Sequence, residues 1–346
     1  MEIKKNDKFI VTIEDMGEDG SGIGKIDGYI WFVKDGLIGD VIEASAMKMK
    51  KNYGFARLVR VIEPAPGRVE ARCPVARSCG GCQMQELSYE EQLKFKEKKV
   101  YNHLKRIGGL EYLFLPGQEK EAEAVDGAVV MEPIIGMEQP WRYRNKAQYP
   151  IGPGKDGLPT AGFYAGRTHA LVPIPELDCV LGCEENQRLL KVVLDFMAEY
   201  HLKPYMEESH RGLVRHVLLR KGYASGELMV CLVINGKKLP GKERLVEMLT
   251  GGDGKDRKGQ GVSEQGTKGL EVKEQETSEN EAKGYISNRH VNRNGIKGMA
   301  SISYSVNQER TNVIMGKEIV NLYGPGFITD YIGNVKYQIS PLSFYQ

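Results

Sequence analysis

The chain has 346 residues, 41% of them hydrophobic, and a formal net charge of +2. That length supports a sizeable core in more than one domain, and the near-neutral balance excludes a uniformly basic nucleic-acid binder, so any basic surface is local. No opening apolar run marks a signal peptide and no stretch of about 18 apolar residues marks a membrane span; a cytoplasmic protein with no membrane partner is expected, whose clustered cysteines serve metal or redox chemistry rather than disulfides.

Residues 8–62 predict a small β-barrel. The runs KFIVTIEDM, GYIWFVK, DVIEASAMKM and FARLVRVIE are short, β-rich and separated by glycine turns. The five glycines of segment 17–28 read as a hairpin turn, because nothing sets them between a strand and a helix as a phosphate loop requires. OB-like barrels bind RNA through strands and loops. Lys48, Lys50 and Lys51 lie next to Tyr53, a mixture that suits tracking of a phosphate backbone and equally a solvated hairpin tip. EPAPGR (63–68) closes the barrel as a linker.

Directly after it, RCPVARSCGGC places Cys73, Cys79 and Cys82 at a C-x5-C-x2-C spacing. Gly80 and Gly81 let the backbone fold tightly enough for two thiolates to face one centre. A fourth thiolate is needed, and Cys179 in PELDCVLGC is the candidate. The spacing by itself leaves an iron–sulfur site, zinc and free thiols open. Cys231, in ELMVCLVI, reads as a buried small hydrophobe.

The segment 88–107 predicts a helix capped by Ser88 with Glu91 three residues on. Leu93, Val100, Leu104 and Ile107 form its apolar stripe, and lysines with Arg106 stud the rest. Residues 111–130 read as a loosely ordered acidic insertion. In PWRYRNKAQYPIG, Arg142, Arg144 and Lys146 alternate, so a continuous strand would turn all three to one face as a phosphate-reading row; the same row also describes an edge strand kept soluble by charge. Further strands, a helix over 184–200, a strand pair around Cys231 and a short helix to Thr250 follow. Residues 251–297 have too few apolar side chains to offset ordering and read as a disordered insertion. Four strand runs then lead to the closing ISPLSFYQ (339–346).

With these motifs in place the chain resembles the bacterial uracil-C5 RNA methyltransferases of the RumA type, which methylate uridine in 23S ribosomal RNA. The likeness rests on the TRAM-like barrel, on RCPVARSCGGCQMQ with its distant DC, and on ISPLSFYQ. It implies that Cys73, Cys79, Cys82 and Cys179 hold a 4Fe–4S cluster, that Phe344 packs on an RNA base and that Gln346 contacts S-adenosylmethionine. Arg142, Arg144, Lys146, Lys50 and Lys51 are the candidate RNA contacts. The partner implied is an unfolded or single-stranded region of 23S ribosomal RNA, and the chain is expected to be a monomer.

The expected architecture is α+β and multi-domain: a TRAM/OB-like barrel over 1–66, a central iron–sulfur α/β domain over 67–340, and at 341–346 only the opening motif of a Rossmann-like methyltransferase domain that is otherwise missing. Helix 88–107 is expected to pack on the catalytic domain. The chemistry requires a thiolate at uracil C6 and a base that removes the C5 proton. None of the six cysteines matches that nucleophile, which is expected beyond residue 346, so the chain by itself is expected to be inactive. A stand-alone RNA-binding module without catalysis and an iron–sulfur redox sensor are the competing readings.

Overall fold

The computed structural model describes residues 3–166, 168–251 and 295–344. In chain order the strands and helices are β1 (Lys8–Met16), β2 (Gly22–Ile26), β3 (Tyr29–Lys34), β4 (Val41–Met49), β5 (Tyr53–Glu63), α1 (Tyr89–Arg106), β6 (Leu113–Phe114), α2 (Glu119–Glu123), β7 (Val129–Val130), β8 (Lys146–Pro153), β9 (Pro159–Tyr164) and β10 (Leu171–Pro173). They continue as α3 (Glu185–Glu199), β11 (Val214–Lys221), β12 (Leu228–Ile234), α4 (Lys242–Thr250), β13 (Met299–Val306), β14 (Glu318–Tyr323), β15 (Ile328–Ile332) and β16 (Val335–Ile339). Two compact units result: residues 1–144 with 162–184, and residues 145–161 with 185–346. The insertion expected over 251–297 lies, but for its first residue and its last three, outside the described residues.

The first unit opens with a closed barrel of strand order β1-β2-β3-β5-β4. All its pairings are antiparallel except β3 with β5. Alternation sends Val11, Ile13, Trp31, Val33, Ile42 and Ala44 inward as one apolar cluster. Gly54 is needed beside Trp31, since a Cβ there would lie 2.5 Å from the indole ring. Beyond the barrel, α1 begins as the sequence predicts, with Ser88 Oγ accepting from the Glu91 N–H at 3.4 Å. None of its side chains is fully buried: Phe95 packs, half-buried, against Met16, Leu37 and Leu87, while Val100 is 49% exposed. Segment 111–130 is not loose. β6 and β7 pair in parallel around α2, and Leu113 and Ala122 are buried; two small apolar anchors are enough to order a stretch whose composition is mostly acidic.

The second unit is a mixed sheet in which β8, β11, β12, β13 and β14 are neighbours in that order. Its central strands are buried along nearly their whole length on both sides. The register puts His216 and Arg220 of β11, Met229 and Cys231 of β12, and Ser301, Ser303 and Ser305 of β13 on one face. The opposite face carries Tyr149, whose hydroxyl accepts from Asn186 of α3 at 3.1 Å, so α3 covers that side. Its apolar stripe, Leu189, Leu190, Val193, Phe196 and Met197, is buried. The β15–β16 hairpin closes the Met229 end through Ile328 and Ile339. Among the described residues no helix is long and apolar enough to cross a membrane.

Candidate functional site

The cysteine segment is fixed to the barrel by charge. Arg68, at the end of the linker, donates to the fully buried Asp40 carboxylate at 2.6 and 3.0 Å and to the Asp35 carbonyl at 3.0 Å. It also pairs with Glu86, which accepts from Arg77 Nε at 2.6 Å. The backbone N–H groups of Leu37 and Ala65 complete the Asp40 shell at 2.8 and 2.9 Å. Burial by itself raises the Asp40 pKa, but Arg68 and the two N–H donors outweigh it and hold the carboxyl below its ordinary range.

Within that frame the loop folds back on itself. The Gly80 N–H donates to the Tyr164 carbonyl at 2.9 Å, and a Cβ on Gly80 would sit 2.7 Å from that oxygen; only glycine permits so close an approach. Gln85 bridges the segment, accepting from Cys73 N–H at 3.2 Å and donating to Cys82 Sγ at 3.1 Å. The Gly81 N–H donates to Cys79 Sγ at 3.4 Å. Cys179 arrives from the other side on a loop strapped to residues 142–144: Arg142 N–H donates to the Val180 carbonyl at 3.0 Å and Arg144 N–H to the Leu181 carbonyl at 2.9 Å. The Arg142 guanidinium donates to the Cys179 carbonyl at 3.1 Å and forks onto Asp178, holding that carboxyl below its ordinary range.

All four thiols are half-buried and free of disulfides. They share one electrostatic neighbourhood. Burial, then the Cys179 and Cys73 sulfurs, push the Cys79 thiol up; burial, then Cys179 and Cys79, do the same to Cys82, and Arg144 opposes both. Among the described residues, however, no set of three or more His, Cys, Asp or Glu is arranged to hold a metal ion. The donor chemistry, four sulfurs with amide donors aimed at two of them, fits a thiolate-ligated centre, and the sulfurs are gathered without being closed into a coordination shell. The remaining two cysteines stand apart. Cys183 donates to the Arg144 carbonyl at 3.1 Å, and Cys231 is fully buried in β12 with its thiol pushed up to about 11, chiefly by burial; neither is presented to a substrate.

The expected cationic row at 142–146 is corrected. Arg142 has φ of 60°, which breaks the extended run, and the strand begins only at Lys146. Arg142 and Arg144 therefore brace the Cys179 loop, whereas Lys146 belongs to the sheet. Lys50 and Lys51 are both exposed at the β4–β5 hairpin, whose Lys50 N–H donates to the Tyr53 carbonyl at 2.8 Å.

Beside that hairpin lies a surface of which the sequence reading named only Tyr53. Phe32, Tyr53 and Phe55 form a triangle of rings with centroids 5.6–5.8 Å apart. Register and alternation put Lys34 and Arg57 on the same outward face. Aromatic rings and cations interleaved on a barrel exterior are the composition of a stacking platform for bases. The signal was present in YIWFVK: Trp31 and Val33 point inward, so Phe32 has to point out.

At the chain's end the Ser340–Ser343 turn is closed by Ser343 N–H to the Ser340 carbonyl at 3.1 Å and Ser340 N–H to Ser343 Oγ at 2.9 Å. Phe344 follows, 91% exposed. Lys146 Nζ sits 6.0 Å from its ring centroid. Gln346, expected to contact S-adenosylmethionine, lies outside the described residues.

Residues 4–59 match the TRAM domain family. Over 344 residues, 99% of the chain, it is 38% identical to a protein of Halalkalibacterium halodurans described as an uncharacterized RNA methyltransferase and 34% identical to one of Clostridium tetani with the same description. It spans 62% and 61% of their lengths. A solved tRNA (uracil-54, C5)-methyltransferase of Pyrococcus abyssi, in complex with S-adenosyl-L-homocysteine, shares the fold at a TM-score of 0.59 and 21% identity, covering 97% of this chain and 61% of that one. These matches overturn the expectation that the likeness to methyltransferases is confined to an opening motif at 341–346: it runs along essentially the whole chain.

Proposed function

We propose that this chain acts in S-adenosylmethionine-dependent methylation of uracil C5 in RNA, with a single-stranded region of 23S ribosomal RNA as the target. The observation that carries this reading is the outward platform of Phe32, Tyr53 and Phe55, set between Lys50 and Lys51 at the hairpin and Lys34 and Arg57 farther along the face. Rings stack on unpaired bases and the cations follow the phosphates. The preference for 23S RNA is supported by the resemblance carried by the cysteine motif and ISPLSFYQ.

In such a reaction uracil C5 becomes nucleophilic only after a thiolate adds at C6; C5 then takes the methyl group from the sulfonium, which leaves as S-adenosylhomocysteine, and a base removes the C5 proton as the thiolate departs from C6 and the C5–C6 double bond is restored. An extruded uridine needs a surface that replaces its lost stacking, the role assigned to Phe344. The Gln346 amide is assigned a hydrogen bond to the cofactor. Cys73, Cys79, Cys82 and Cys179 are assigned as ligands of a 4Fe–4S cluster, supported by their all-sulfur donor set and by the Gln85 and Gly81 donors. When bound, such a cluster supplies a cross-link between the loop at 73–82 and the loop at 179, and with it folding energy.

Fluorescence anisotropy tests the reading. A uridine-containing single strand from 23S RNA should bind the chain in a salt-dependent manner, and Tyr53→Ala should weaken it by about tenfold, the order expected for one lost stacking partner. Transfer of label from methyl-labelled S-adenosylmethionine to uracil C5 of that RNA is to be measured on a protein of the relatives' full length, because none of the six cysteines here is presented as the C6 nucleophile. Absence of binding even at low salt would sink the proposal; preference for tRNA would move the target.

A further inference from the structure

A buried guanidinium needs a reason. Arg220 is 3% exposed in β11, and burial pushes its pKa down to about 10. Holding a cation there is costly unless its donors are used. One of them is used at long range: Arg220 Nη2 donates to the carbonyl of Ser343, 123 residues along the chain. That carbonyl belongs to the turn whose hydrogen bonds were described above, and the turn starts from the buried Ile339. Its far end is Phe344. Lys146, directly opposite Arg220 in the β8–β11 register, is the cation beside the Phe344 ring.

We propose that Arg220 is a positioning residue: by gripping the Ser343 carbonyl it fixes the Ser340–Ser343 turn, and so presents the Phe344 ring, with Lys146 beside it, as a preformed stacking surface for one RNA base. This deepens the reading given above and rests on it. The physical gain is preorganisation. A ring that is 91% exposed at the end of an irregular segment loses entropy whenever it is ordered by a ligand. A turn clamped in advance has already met that cost. Lysine offers one charge without the planar fork, so Arg220→Lys should restore the function only in part. Glutamine removes the charge and most of the reach.

The test combines an oligoribonucleotide carrying a fluorescent base analogue with hydrogen exchange on the full chain. Phe344→Ala should weaken binding by about tenfold and remove the stacking quench. Arg220→Gln should do nearly the same, and the double variant should be no weaker than Phe344→Ala, because both changes remove one surface. Exchange of the Ser340 and Ser343 amides should accelerate in Arg220→Gln while β11 and β12 stay protected. Should Arg220→Gln fail to fold, Ser343→Ala, which loosens the turn without touching the sheet, should still lose binding severalfold. The proposal is overturned if folded Arg220→Gln binds and quenches like the wild type, or if its loss simply adds to that of Phe344→Ala. If Phe344→Ala is silent while the wild type binds RNA through Tyr53, this inference fails and the RNA reading stands. If the wild type binds no RNA, both fail.

Discussion

The barrel of the first unit and the sheet of the second use strands in opposite ways. In β1 the burial pattern alternates, so one face fills the barrel and the other meets solvent. In β12 every residue is buried. The barrel therefore spends its outward side chains on a surface, Phe32, Tyr53 and Phe55 among them. The sheet buries polar groups instead: His216 and Arg220 of β11 and three serines of β13 are all buried. A strand with a wet face can carry a binding function on that face. A strand buried on both sides places its polar groups where they act through the fold.

The comparison breaks most sharply at the barrel's tie to the cysteine segment. Arg68→Met leaves the fully buried Asp40 carboxylate without its guanidinium, and a broken buried pair costs about 3–5 kcal/mol. Denaturant unfolding should show that loss, larger than for any outward barrel residue. The Asp40 pKa is depressed in the folded state, so the stabilisation is present at neutral pH and disappears as pH falls below about 4, the ordinary carboxylate range. A second cut at the barrel, Trp31→Ala, should cost about 3–5 kcal/mol through the cavity it leaves.

For the sheet, the sharpening measurement is a pH titration of stability. His216 is buried and its pKa falls from 6.5 to about 4, first through burial and then through Arg215. The unfolded chain takes up that proton near 6.5 and the folded chain does not, so the unfolded state binds more protons between those values. Stability should fall as pH drops from 6.5 towards 4, by up to about 3 kcal/mol. His216→Gln should flatten that slope. A smaller effect of opposite sign is expected at Ser301, whose buried hydroxyl has no hydrogen-bond partner among the described residues. Ser301→Ala should be neutral or stabilising by up to about 1 kcal/mol, because it removes an unsatisfied polar atom.

What the sequence made legible follows the same division. Alternation in KFIVTIEDM and GYIWFVK is a period-two signal that gives both the strand and its inward face, and the Ser88 cap gave the start of α1 because capping is local chemistry. The continuous apolar run ELMVCLVI identifies a strand but carries no face, so the company that Cys231, His216 and Arg220 keep is set by register, which only the folded sheet supplies. The row at Arg142 and Arg144 failed for a related reason: alternation was read through a residue whose φ is 60°, and a single left-handed residue resets the faces. The C-x5-C-x2-C spacing of Cys73, Cys79 and Cys82 was legible, with Cys179 as a candidate fourth sulfur, but no metal-holding set forms among the described residues. The amide donors from Gln85 and Gly81 were not legible, because they depend on the folded loop.

The smallest expected effect tests the helix that joins neither pattern. α1 has an apolar stripe that the sequence marks for burial, yet Leu104 is 37% exposed and no α1 side chain is fully buried. If that surface is solvated in the isolated chain, Leu104→Ala should cost under about 0.5 kcal/mol, as for other surface substitutions. Leu189 of α3, fully buried, is the internal control and should lose about 2–5 kcal/mol on the same change. The two numbers separate an amphipathic pattern that is satisfied from one that is not. Equal costs would mean that α1 is covered in solution by something that contacts Leu104, and the stripe would then be a core feature of the chain.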